Sequence, residues 1–192
     1  HARKQGKKLG VLWVDAHADI NTPATSPTGN VHGMPLASLL GMGPKELAGV
    51  AWEGPKIDPA NVALVGIRSL DGGEKTHLIE CGVHVFTMPD IDRHGVHRVM
   101  KKALACVTDG TDYLHVSLDL DAVDPTVAPG VGTPVKGGLD YREAHQIMEF
   151  VAHAGVMTSL EVVEVNPILD TRNISAEFAV EMVQSAFGKA IL

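Results

Sequence analysis

Val11-Leu12-Trp13-Val14-Asp15-Ala16-His17-Ala18-Asp19 is an apolar run that ends in two aspartates and a histidine at alternating positions. Strands buried on both faces of a parallel sheet read as near-continuous apolar runs of this kind. In extended chain, side chains at i, i+2 and i+4 face the same way, so Asp15, His17 and Asp19 converge. Leu114-His115-Val116-Ser117-Leu118-Asp119-Leu120-Asp121 repeats the design, and Asp119 converges with Asp121. An unpaired carboxylate at a buried strand end costs several kcal/mol or takes up a proton, and four together repel one another. A pair of divalent cations removes both penalties, and a carboxylate-plus-imidazole set suits an ion such as Mn²⁺. A lone aspartate at a strand end is more often a helix cap or a turn former. The paired pattern is what moves Asp15, His17, Asp19, Asp119 and Asp121 toward a metal site.

Outward from these stretches, strand-like runs are predicted at Leu9 to Val14, Val62 to Ile67, Val83 to Thr87, Tyr113 to Leu120 and Met157 to Val163. Helical spacing joins Val96, Val99, Met100, Ala103, Leu104 and Val107, and Gly110 follows as a stop. Asp140 with Glu143 has the form of a capping box ahead of Ala144, Ile147, Met148 and Val151. A last amphipathic helix carries Ala179, Met182, Val183, Ala186 and Phe187. Strands alternating with helices indicate an α/β fold with a largely parallel sheet. Such sheets bind ligands outside the carboxyl ends of their strands, where both aspartate clusters fall. The Pro/Gly/Thr-rich loops 21–35 and 124–138 follow directly and are candidates to line a pocket.

The 192 residues are read as one domain, 1–192, long enough for a sizeable core. A net charge of −7 argues against a nucleic-acid surface, and the metal site itself accounts for part of that acidity. No apolar run reaches the roughly 18 residues that span a bilayer, and no signal peptide is read, so no membrane partner is expected. Cys81 and Cys106 form no CxxC motif, which is compatible with a reducing cytoplasm. Gly130-Val131-Gly132 is not a dinucleotide fingerprint, because Val stands at position 135.

Asp15 to Pro23, then Gly29-Asn30-Val31-His32-Gly33-Met34-Pro35, resemble the arginase family of the ureohydrolase superfamily. So do Ser117 to Asp121 through Asp124-Pro125, Gly132-Thr133-Pro134, Gly137-Gly138 and Glu164-Val165-Asn166-Pro167. The likeness runs over essentially the whole chain and is nearest the bacterial type. It implies a three-layer α/β/α fold of the arginase/deacetylase kind, two Mn²⁺ per complete subunit, and hydrolysis of L-arginine to L-ornithine and urea by a metal-bridging hydroxide. It further implies a hydrolase of arginine metabolism and the urea cycle, cytoplasmic, and a homotrimer or hexamer.

Residue by residue, the resemblance makes Asp15, His17, Asp19, Asp119 and Asp121 the metal ligands. His32, Glu164 and Asp19 become catalytic: His32 as proton shuttle, Glu164 as the carboxylate that holds the guanidinium, and an aspartate as an alternative proton donor. Asn21, Ser26, Thr28 and Asn30 match contacts to the substrate α-carboxylate. Asp71, assisted by Glu74, matches the α-ammonium partner, and Thr133 lines the pocket. Several have plainer readings. Asp71 and Glu74 could cap a helix, Asn21, Ser26 and Thr28 could form turns, and His32 could be one loop histidine among ten.

The family's further histidine ligand, in a Gly-Gly-Asp-His segment, has no counterpart here, since the chain opens at His1-Ala2-Arg3. The resemblance is therefore to a family member lacking its N-terminal portion, and weak activity is expected of the isolated 192 residues. Agmatinase or another guanidino-acid ureohydrolase, a one-metal zinc deacetylase, and a non-catalytic metal-binding descendant are the alternatives.

Overall fold

Residues 1–189 are described by the computed structural model. Five strands run parallel: β1 (Leu9–Val14), β2 (Val62–Ile67), β3 (His84–Thr87), β4 (Tyr113–Asp119) and β5 (Met157–Val163). Their order across the sheet is β3-β2-β1-β4-β5. The connections carry α1 (Pro35–Leu39), α2 (Lys45–Ala48), α3 (Gly72–Cys81), α4 (Met88–Thr108) and α5 (Tyr141–Ala154), and α6 (Ile174–Ala186) follows β5. The sheet is thus wholly parallel, as the alternation of strands and helices predicted.

Period-two alternation divides the apolar residues of β1 between two cores. Leu12 and Val14 join Ala63, Val65, Val116 and Leu118 under α4, α5 and α6. Val11 and Trp13 join Val62 and Leu64 beneath Leu36 of α1 and Leu78 of α3. This is a three-layer α/β/α arrangement, and each large aliphatic buried in it contributes about 1.5–3 kcal/mol. Gly10 of β1 lets α4 approach the sheet closely. A Cβ placed there would stand 1.9 Å from the carbonyl oxygen of Val107, near the end of α4.

Several boundaries differ from the sequence reading: the third strand starts at His84 rather than Val83, and the last helix ends at Ala186 with Phe187 as its cap. The helix predicted from Val96 begins at Met88, because Thr87 and Asp90 form a capping box and the run continues across a kink at Gly95. The fourth strand ends at Asp119 rather than Leu120, since Asp119 caps the 3-10 turn Leu120–Ala122 through the Asp121 amide.

β1 connects to β2 on one side, while β4 pairs with its other side. The strand order therefore reverses at β1–β4, the point of such a sheet where a crevice opens at the carboxyl ends. Val14 pairs with Leu118, so the following residues, Asp15 and Asp119, stand side by side at the carboxyl edge of the sheet.

Candidate metal centre

Asp15 stays in line with β1 because its amide donates to the Val65 carbonyl at 3.0 Å. Its side chain is 1% exposed and accepts two hydrogen bonds, from the Trp13 indole at 2.8 Å and from the His17 amide at 2.6 Å. The His17 ring follows, with Nδ1 at 3.1 Å from Asp121 Oδ2 and 3.6 Å from Asp15 Oδ1. Donor atoms of Asp15, His17 and Asp121 all lie within 4.8 Å of one another. Asp121 is further fixed by the Thr133 hydroxyl at 3.0 Å and the Ala16 amide at 3.3 Å.

Beside this group a cavity of about 300 Å³ opens, and Asp19 and Asp119 face it together with His17 and Asp121. Asp19 holds φ at +52°, and its carbonyl accepts the Leu36 amide of α1 at 3.0 Å. The opposite walls are Asn21, Ser26, Thr28, Asn30 and His32 from the loop after β1, and Asp71 and Glu74 from the start of α3. Thr133 and Glu164 close the remaining side, Glu164 with φ at +63°. The structure thus brings every site residue of the sequence reading to one cavity, with Asp15 buried next to the donors that line it. A larger cavity of about 690 Å³ lies at the amino end of β1, among Arg3, Trp52 and Lys56, and holds none of them.

Electrostatics set this corner apart. Burial raises Asp19 to a pKa of about 9 and Asp119 to about 10, and repulsion from Asp15 and Asp121 adds to both. Burial likewise raises Asp15 to about 6, against the hydrogen bonds it accepts. Desolvation opposes charge on His17, but its bonds to Asp121 and Asp15 outweigh that and lift it to about 10. Desolvation also opposes the Asp121 anion, and there the His17 contacts prevail and lower its pKa. Carboxylates driven toward protonation by one another and by burial lack positive charge. Asp15, His17 and Asp121 stand at a spacing that fits a divalent cation, and Asp19 and Asp119 adjoin them on the cavity wall as further residues to hold one.

Asp71 forms a reciprocal capping box with Glu74 at the head of α3, so the capping reading holds for both. Asp71 also accepts the Asn21 amide at 2.7 Å, and Asn21 in turn accepts the Thr25 hydroxyl at 2.9 Å. Burial works against the Asp71 anion, yet the Glu74 amide and Asn21 outweigh it and lower its pKa, whereas burial raises Glu74. Ser26 Oγ accepts from the Gly29 amide and Thr28 Oγ1 from the Asn30 amide. Both hydroxyls are turn formers, and each keeps its own proton for an acceptor in the cavity.

Three participants escaped the sequence reading. Trp13 reads as part of the apolar run, yet its indole N–H anchors Asp15. Ser69 lines the cavity. Arg68 directly follows the fully buried strand β2, and a cation at that place beside four aspartates was the available signal.

A model of the Arginase family matches residues 1–188. The arginase of Bacillus caldovelox is 52% identical over 189 residues, covering 98% of this chain and 63% of that protein. A solved structure of the Bacillus caldovelox arginase superposes with a TM-score of 0.94 at 53% identity, over 96% of this chain and 62% of that one. The Entamoeba histolytica arginase, solved in complex with L-ornithine, gives a TM-score of 0.89 at 34% identity, over 96% of this chain and 62% of that one. The chain therefore spans a little under two thirds of the length of these relatives. With the family model matched almost from end to end, the chain belongs to the arginase family.

Proposed function

We propose that these residues form the catalytic centre of a manganese-dependent arginase that hydrolyses L-arginine to L-ornithine and urea. The observation that carries the proposal is one cavity lined both by the carboxylate–imidazole cluster and by Asn21, Ser26, Thr28, Asn30, Asp71 and Glu74. Its family relatives are arginases, one of them solved with L-ornithine bound.

Two Mn²⁺ ions, when bound, supply Lewis acidity and a water acidified toward neutral pH. The chain's side chains do the rest. Glu164 pairs with the planar guanidinium through two parallel hydrogen bonds and fixes the direction its carbon faces. Asp71, held anionic by Asn21 and the Glu74 amide, receives the α-ammonium, with Glu74 beside it. Ser26, Thr28, Asn30 and the second amide proton of Asn21 donate to the α-carboxylate. His32, on the 3-10 turn Val31–Gly33 at the cavity rim, or Asp19 in the wall, carries a proton to the leaving amine. One ureohydrolase domain, acting in the cytoplasm as a homotrimer or hexamer, completes the reading.

The test is urea release from L-arginine and, in parallel, from agmatine, with and without Mn²⁺, using the protein at the length the cell makes. Turnover of arginine alone, dependent on Mn²⁺, is the expected result. Preference for agmatine, which lacks the carboxylate, would transfer the site to an agmatinase. Failure on both substrates with two ions bound would point to a non-catalytic descendant.

A further inference from the structure

Arg68 is the one guanidinium beside the acidic cluster among the described residues, yet its hydrogen bonds go to peptide carbonyls. Nη1 donates to Ala122 at 3.0 Å and Gly66 at 3.3 Å. Nη2 donates to Val135 at 2.6 Å, Asp121 at 2.8 Å and, at the limit, Val123 at 3.5 Å. The surroundings are shaped to admit it. A Cβ on Gly138 would stand 2.5 Å from Nη2, so that position excludes any larger residue while the guanidinium is in place.

Three chain segments meet at this side chain. The Arg68 amide and the Ser69 amide donate to the Ala16 carbonyl, between Asp15 and His17, at 2.9 and 3.0 Å. The guanidinium grips residues 121–123, including the carbonyl of Asp121 itself. Through Val135 it grips the loop that brings Thr133 to the Asp121 carboxylate. Asp121 is thus fixed from both ends, its carbonyl by Arg68 and its carboxylate by Thr133.

We infer that Arg68 is a positioning residue for the metal centre: its guanidinium locks the Asp121 segment and the 124–138 loop against the Asp15–Asp19 segment. The inference rests on the metal-centre reading above. A fork of five N–H donors reaches several carbonyls in fixed directions, which a lysine ammonium cannot reproduce. Its charge also lies near Asp121, Asp124 and Asp15, offsetting part of their repulsion without occupying a ligand oxygen.

The test titrates Mn²⁺ by calorimetry into the protein at the length the cell makes, as wild type, Arg68→Lys and Arg68→Met. Val99→Ala, a truncation on the buried face of α4, serves as a control for general destabilisation, with metal-free melting temperatures recorded for all four. Partners that orient metal ligands typically change affinity 10- to 100-fold when removed. Both Arg68 variants are expected to fall in that range, with loss of the exchange-coupled two-ion signal in Mn²⁺ electron paramagnetic resonance. Val99→Ala keeps its affinity despite a lower melting temperature. Should Arg68→Met fail to fold, Arg68→Lys, which retains the charge, carries the comparison. Wild-type affinity and an intact two-ion signal in a folded Arg68 variant would overturn the inference. A wild-type chain that binds no Mn²⁺ would overturn the metal reading and the inference with it.

Discussion

Asp19 and Glu164 share a left-handed backbone, with φ of +52° and +63°, that non-glycine residues adopt at a cost of about 1–3 kcal/mol. Both line the same cavity, and for Asp19 the surroundings are visible: two α1 amides, of Leu36 and Ala37, hold its carbonyl. Such strain is concentrated where a side chain must face a ligand. Glu164→Gln keeps the shape and removes the charge that would meet the guanidinium. It should lower kcat/KM for arginine by about 100-fold or more, on the order of 3 kcal/mol. Mn²⁺ affinity by calorimetry should stay unchanged, since Glu164 lies outside the proposed donor set. Near wild-type turnover would remove Glu164 from its role. The aspartates of the site were legible in the sequence because an alternating pattern at a strand end is a local signal. Trp13 and Arg68 were not, because their roles depend on partners brought close only by folding, such as the Val135 carbonyl.

At the scale of elements, β1 and α4 meet where Gly10 lets the Val107 carbonyl come close. Gly10→Ala would push a methyl group into helix backbone, which cannot move aside as a flexible side chain would. Overpacking of this kind costs about 1–3 kcal/mol and occasionally more. A melting temperature lowered by several degrees is expected for the variant, against no change if the helix rides away freely. The strand set was readable almost to the residue, because buried parallel strands leave continuous apolar runs bounded by polar turns. The start of α4 was not. Met88 and Ile91 keep helical spacing, but the kink at Gly95 leaves Ile91 and Val96 five residues apart and interrupts the period, so the Thr87–Asp90 box and Pro89 in the first turn are what mark the start. The box predicted at Asp140 and Glu143 is present, and at Asp71, where capping is one of two readings, the capping carboxylate also accepts the Asn21 amide.

Across the whole molecule, the acidic corner couples stability to pH. Asp19 and Asp119 titrate near 9 and 10 in the metal-free fold, against about 4 in the unfolded chain, and His17 near 10 against about 6.5. Each folded pKa is raised, so between these values the folded state holds protons that the unfolded state has released. These groups contribute their full stability at low pH and lose it as pH climbs through the folded values. Thermal melts of the metal-free chain should therefore fall from about pH 5 to about pH 9. Saturating Mn²⁺ should reverse the trend, because binding needs deprotonated ligands and stabilises only the folded state. Parallel curves with and without the metal would contradict the coupling. Anomalous diffraction at the manganese edge, from crystals of the protein at the length the cell makes grown with Mn²⁺, locates the ions themselves. Two peaks a few ångströms apart are expected among Asp15, His17, Asp19, Asp119 and Asp121. A single peak, or none in that cluster, would contradict the two-ion centre.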